Sequence, residues 1–228
     1  MGGGPKTVGM IPVPIHVLDF EGSRQSGIVE YGLVTLRAGR IEGTETRLCR
    51  ATGTISDGDR LQHGISEAAV AGSEPFEADW ELFAGLRESG PFCAHHAAVE
   101  DGLLRAVWAY GRRSPDFSEE GLLTSGWGPW LDTLPLYRRV YPNLESYKLG
   151  DLVTLFELEG ELESLADLHC PVRRARYHCA LYDALASALL LKRLLELPEL
   201  EAVSLRWLLQ QSASSEAGRE AMGQGELF

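Results

Sequence analysis

Val13-Pro14-Ile15-His16-Val17-Leu18-Asp19-Phe20-Glu21-Gly22 is an apolar run that acquires two carboxylates at its end. Side chains alternate across a strand, so Val13, Ile15, Val17, Asp19 and Glu21 share one face while Leu18 and Phe20 share the other. Apolar residues on both faces mark a central strand covered on either side. Two like charges at the end of a buried strand raise each other's pKa and resist burial, unless cations or a wet cleft compensate. A hard divalent cation such as magnesium or manganese is the economical partner for carboxylate oxygen.

Outward from this strand, residues 28–36 and 41–49 read as two further strands with Ala38-Gly39 at their turn, an antiparallel meander. Residues 78–86 have amphipathic helical spacing, 92–95 return as a strand and 99–110 as a helix. A short strand at 130–132 precedes a helix over 134–140. The alternation predicts an α/β fold, a mixed central β-sheet flanked by helices. Trp127 and Trp130 stand in a Gly-rich stretch where aromatic packing under a loop is favoured over base stacking.

A second acidic position stands out in Tyr177-His178-Cys179-Ala180-Leu181-Tyr182-Asp183-Ala184-Leu185-Ala186-Ser187-Ala188-Leu189-Leu190. Leu181, Leu185 and Leu189 recur at helical spacing, and Ala180, Ala184 and Ala188 are small enough to let the helix approach a sheet closely. Asp183 is the one charge in this stretch. Five residues is about 140° out of phase on a regular helix, so His178 projects from the loop or first turn. A histidine beside metal-bound carboxylates can take a proton from water near neutral pH.

Asp19-Phe20-Glu21, Ile28-Val29-Glu30-Tyr31-Gly32, Ala94-His95-His96-Ala97-Ala98-Val99-Glu100, Asp132-Thr133 and His178 through Asp183 together resemble the successive motifs of the DEDDh exonucleases, over about residues 12–195. That family includes the epsilon proofreading subunit of bacterial DNA polymerase III. The resemblance implies a ribonuclease H-like fold and 3′-to-5′ removal of nucleotides with two magnesium or manganese ions. It places Asp19, Glu21 and Asp183 on the metals, makes Glu100 the fourth acid and His178 the general base, and assigns substrate contacts to Phe20, Gly22, Ser23, His96 and Arg176. Family members usually carry Asn at the place of His96 and Asp at that of Glu100. Asp101 is the neighbouring alternative, about 100° away on a helix, and Glu100 is favoured because Ala94 through Ala98 match without a gap. His95 and His96 also read as structural residues at the end of a strand.

With 228 residues and 44% hydrophobic content, the chain can form one sizeable core. No run is long enough to span a membrane, and Met1-Gly2-Gly3-Gly4 does not open a secretory signal. Cys49, Cys93, Cys170 and Cys179 show no metal-ligand spacing, and reduced cysteines in a cytoplasm are the simplest reading. Lys plus Arg number 21 and Asp plus Glu 33, a formal net charge of −12 that weakens long-range attraction to phosphate. Arg173, Arg174 and Arg176 are the local basic residues that could hold a substrate backbone beside His178. Short or delivered substrates, single-stranded or frayed 3′ ends, suit this charge balance better than duplex DNA gripped by the enzyme alone.

The expected organisation is a flexible start over 1–11, an exonuclease domain over 12–211 and a flexible tail over 212–228. The tail ends in Gln224-Gly225-Glu226-Leu227-Phe228, which resembles the short peptide by which bacterial polymerases and repair enzymes dock on the sliding clamp. Gln224, Leu227 and Phe228 are its anchors, and a clamp or DNA polymerase is the partner it implies. An exoribonuclease of the same family, and a catalytically weakened nucleic-acid-binding or clamp-associated module, are the competing readings.

Overall fold

A computed structural model describes residues 11–200 and 203–213. Three strands open it: β1 (Ile15–Ser23), β2 (Gly27–Arg37) and β3 (Arg40–Leu48). Two short helices, α1 (Asp57–His63) and α2 (Glu67–Val70), lead to α3 (Trp80–Ser89), β4 (Phe92–Ala94) and α4 (Ala97–Val107). A two-stranded ribbon, β5 (Ser114–Pro115) with β6 (Leu123–Thr124), precedes β7 (Leu131–Asp132). The helices α5 (Thr133–Val140), α6 (Leu149–Leu155), α7 (Glu159–His169), α8 (Ala180–Leu195) and α9 (Leu205–Ser212) complete it.

The sheet order is β3-β2-β1-β4-β7, with β1, β2 and β3 antiparallel and β4 and β7 parallel to β1. β1 therefore sits in the middle, as its two-sided apolar pattern requires. Ile15 and Val17 face a core shared with α5 to α9, whereas Leu18 and Phe20 face a second core built from Phe76, Phe83, Phe92, Leu104 and Trp127. The carboxyl ends of β1, β4 and β7 lie along one edge of the sheet. In open α/β sheets that edge is where ligands bind.

The aromatic second core decides several side chains. Trp127 is 1% exposed and stacks on Phe92, so it supports the fold and offers no face to a base. Arg87, fully buried beneath it, donates to the carbonyls of Trp127 at 2.9 Å, Gly128 at 2.7 Å and Pro115 at 2.8 Å, tying the 111–130 segment to α3. Neutral acceptors rather than a carboxylate receive this cation, and burial lowers its pKa to about 10.

The boundary expected at residue 212 falls inside α9. Ser212 is buried; its hydroxyl donates to Leu208 O and accepts the N–H of Asp132 at 2.9 Å. Its polar side chain is used to satisfy the backbone of the edge strand β7, which composition alone does not reveal. The clamp-peptide anchors Gln224, Leu227 and Phe228 lie outside the described residues, as do residues 1–10 of the expected N-terminal segment. No helix among the described residues is long and apolar enough to cross a membrane.

Candidate active site

Asp19 and Glu21 close β1 on one face, and Asp19 pairs across the sheet with Gly32 of β2. A Cβ at Gly32 would lie 2.2 Å from the backbone of Ala180, so only glycine lets the first turn of α8 rest on the sheet here. Ala180 and Ala184 are fully buried, and the small side chains on both surfaces bring Asp183 over the acidic end of β1. From the opposite layer α4 delivers Glu100, whose Oε2 accepts the N–H of Phe20 at 3.0 Å. Four acids from three elements thus converge on one point.

Glu21, Glu100 and Asp183 are 7%, 5% and 7% exposed, and Asp19 is half-buried. Loss of hydration and repulsion from neighbouring carboxylates raise all four. Burial, then Asp183 and Glu30, push Glu21 up to about 8. Burial opposed by the Phe20 N–H leaves Glu100 at about 8, and burial opposed by the His178 N–H leaves Asp183 at about 7. Burial, followed by Glu100, Asp183, Glu21 and Glu30, holds Asp19 well above the carboxylate range. Asp183 Oδ1 is buried with no hydrogen-bond partner. An orphaned carboxylate oxygen among three other acids fits a divalent cation, the charge that would relieve both repulsion and desolvation.

Among the described residues, single ligand atoms of Glu21, Asp183 and His178 lie within 4.8 Å of one another. Asp19 stands beside this tighter set, because strand geometry separates it from Glu21 by about 7 Å along β1. Asp19, Glu21 and Asp183 therefore form a wider cluster than the triad that includes His178.

His178 lies in the loop before α8, exposed, with a left-handed backbone (φ 61°) fixed by its N–H donating to Asp183 Oδ2 at 2.9 Å. His96 repeats the device before α4: φ is 77° and its N–H donates to Asp132 Oδ1 at 2.9 Å. Asp132 also accepts from Ala97 and Leu134, capping the starts of α4 and α5 together. Asp132 thus holds α4, and with it Glu100, in place. His95 lies between Thr133 Oγ1 and Tyr147 O, each 2.8 Å away, with burial lowering it to about 4; it is a structural histidine.

The expected substrate contacts divide. His96 and Arg176 are exposed, and His96 lines a cavity of about 380 Å³ with Asp132, Arg138 and Arg139. The Phe20 ring packs edge-on against Phe76 in the second core, because strand alternation turns it away from Asp19 and Glu21. Gly22 forms the bulge that ends β1, where a Cβ would meet Gly27 O at 2.2 Å and φ is 134°. Ser23 is engaged with Ser26 in the following turn. Arg174 is likewise occupied, by Glu30 and the carbonyl of His63. Glu30 and Gln62, which touch the loop that carries His178, have no role assigned from the sequence. The signal for Glu30 was a lone charge within the apolar 28–36 strand.

No family model and no curated protein matches the sequence. Solved structures do match in fold. Exonuclease X in complex with 5′ overhanging duplex DNA superposes with a TM-score of 0.60 at 24% identity, covering 86% of this chain and 99% of that one. The fold is ribonuclease H-like. The nuclease domain of 3′hExo, described as a DEDDh family member and bound to rAMP, gives 0.54 at 17% identity over 80% of this chain and 92% of that one. Escherichia coli exonuclease I with a dT13 oligonucleotide gives 0.55 at 15% identity, covering 79% of this chain and 40% of that one.

The raised carboxyl groups make stability depend on pH and metal. Their folded values lie above the unfolded ones of about 4, so between about pH 4 and pH 8 the folded state binds more protons than the unfolded state. Stability then falls as pH rises through that window. In metal-free protein the thermal midpoint is expected to drop between about pH 5 and pH 8, and magnesium or manganese to raise it, most at the higher pH. Scanning calorimetry with and without chelator checks this. A metal-free midpoint that climbs over the window would contradict the assignment.

Proposed function

We propose that the chain is a metal-dependent 3′-to-5′ exonuclease of the DEDDh type. The observation that supports this most is the convergence of Asp19, Glu21, Glu100 and Asp183, with His178 alongside, at the carboxyl edge of a ribonuclease H-like sheet. Asp19, Glu21 and Asp183 would hold two divalent ions, magnesium or manganese, and Glu100 would complete the acidic set. Such ions, when bound, would activate a water and offset the charge that builds on the scissile phosphate. His178 takes the proton of the attacking water, its exposed ring free to approach a 3′ end. Glu100, fixed by the Phe20 N–H, and Asp183, fixed by the His178 N–H, keep their carboxylates aimed inward without side-chain rearrangement.

A DNA substrate with a replication or repair role is the reading we favour, because Exonuclease X, bound to DNA, matches over nearly its whole length. The neighbour bound to rAMP keeps RNA as the second reading. Four free cysteines suit a reducing cytoplasm. Docking of the terminal peptide on a sliding clamp or polymerase rests on sequence alone; it would deliver an enzyme of net charge −12 to its polyanionic substrate.

The test is hydrolysis of matched 5′-labelled DNA and RNA oligonucleotides with and without magnesium or manganese. Stepwise shortening from the 3′ end that requires metal is expected, faster on DNA. His178→Ala is expected to lower the rate by about 10² to 10⁴-fold while leaving oligonucleotide affinity nearly unchanged. Binding without metal-dependent turnover would instead identify a weakened nucleic-acid-binding module.

A further inference from the structure

His178 is exposed, so burial does not set the direction of its imidazole. What fixes it is a set of contacts from three separate parts of the chain. Glu30, on β2, is buried with a side chain 3% exposed, and Arg174, four residues before His178, is 16% exposed. The guanidinium meets the carboxylate as a fork: Arg174 Nε donates to Glu30 Oε1 at 2.9 Å and Nη2 donates to Oε2. Its third arm, Nη1, donates to the carbonyl of His63 at the end of α1, 2.7 Å away. Glu30 Oε2 also accepts the N–H of Ala180, the first residue of α8, at 3.0 Å. The loop that carries His178 is therefore tied at both ends to one carboxylate and, through Arg174, to α1. From α1, Gln62 Nε2 stands 3.2 Å from His178 Nδ1.

We propose that Glu30, Arg174 and Gln62 are positioning residues for His178, an inference that rests on the base assignment above. Glu30 and Arg174 set the loop and the distance to α1, and Gln62 sets the ring. With Nδ1 engaged, Nε2 is the nitrogen left to accept a proton from water. That requires hydrogen on Nδ1, donated to the Gln62 carbonyl oxygen, an arrangement reached by a half-turn of the amide with little change in heavy-atom positions. A neutral imidazole so held presents one nitrogen lone pair in a fixed direction, and misplacement of a reacting group by about 1 Å can cost about 10²-fold in rate.

Two variants probe the device from its exposed and buried ends. Gln62→Leu removes the hydrogen bond at a solvent-facing position and leaves the core alone. Arg174→Lys keeps the charge but not the planar fork, so it cannot serve Glu30 and the His63 carbonyl together. Each is expected to lower kcat on a 5′-labelled oligonucleotide by about tenfold or more while KM stays within about twofold. In metal-free protein labelled with ¹⁵N at the histidine rings, at a pH where the imidazole is neutral, His178 should show a single tautomer protonated at Nδ1, and Gln62→Leu should give averaged shifts. Retention by Gln62→Leu of both the wild-type kcat and the wild-type ring shifts would overturn the proposal, as would a ring protonated at Nε2 in the wild type. The spectroscopic arm does not need turnover. Absence of metal-dependent hydrolysis by the wild type would defeat the exonuclease reading while the ring shifts still decide the role of Gln62.

Discussion

Asp19→Asn is expected to reduce metal-dependent turnover by about three orders of magnitude while the protein stays folded. The amide preserves the shape of the side chain but removes the charge that opposes the cations, and loss of several kcal/mol of charge stabilisation corresponds, at about 1.4 kcal/mol per tenfold, to a factor of that size. The same substitution should raise the thermal midpoint of metal-free protein near neutral pH. Asp19 is crowded by Glu100, Asp183, Glu21 and Glu30, and removing one ionisable carboxyl relieves both repulsion and desolvation. Opposite movements of activity and stability separate a functional acid from a packing residue. Near-normal turnover in a folded Asp19→Asn protein would remove the metal assignment.

Glu100→Gln is expected to abolish most turnover, whereas Asp101→Asn should leave it within about threefold of wild type. The two side chains leave α4 about 100° apart, and they meet different partners. Glu100 is buried against the Phe20 N–H beside the other acids. Asp101 accepts the Trp130 indole N–H at 3.0 Å and has the Arg105 guanidinium 3.7 Å away, a setting that belongs to the packing of the 111–130 segment. Gln and Asn keep the acceptor each position needs, so both variants should fold and the comparison isolates charge. Single-turnover rates in saturating magnesium measure it. The reverse ranking would move the fourth acid to Asp101.

Periodicity was enough to read the central strand. The alternation from Val13 to Glu21 placed β1 between covered faces, and the pairing of Ile15 and Val17 with one core and Leu18 and Phe20 with the other follows that pattern. The alanines at 180, 184 and 188 likewise announced a helix pressed on a sheet. The pattern also held the reason the Phe20 ring packs in the second core, since it alternates away from Asp19. Shorter helices such as α1 and α6 left little periodic signal, because seven residues complete barely two turns.

The sequence by itself determined which acids need compensation: Asp19 and Glu21 at the end of an apolar strand, and Asp183 alone in an apolar helix, are charges whose local burial already demands a partner. Only the tertiary structure decided which of the remaining polar residues join them. Glu100 rather than Asp101 faces the acids because α4 is fixed by Asp132 at its first turn; Arg174 is drawn from a basic loop into the interior by Glu30; and Gln62 reaches His178 across 116 positions of chain. Such partnerships depend on distances set by packing between elements remote in sequence, and no local spacing encodes them.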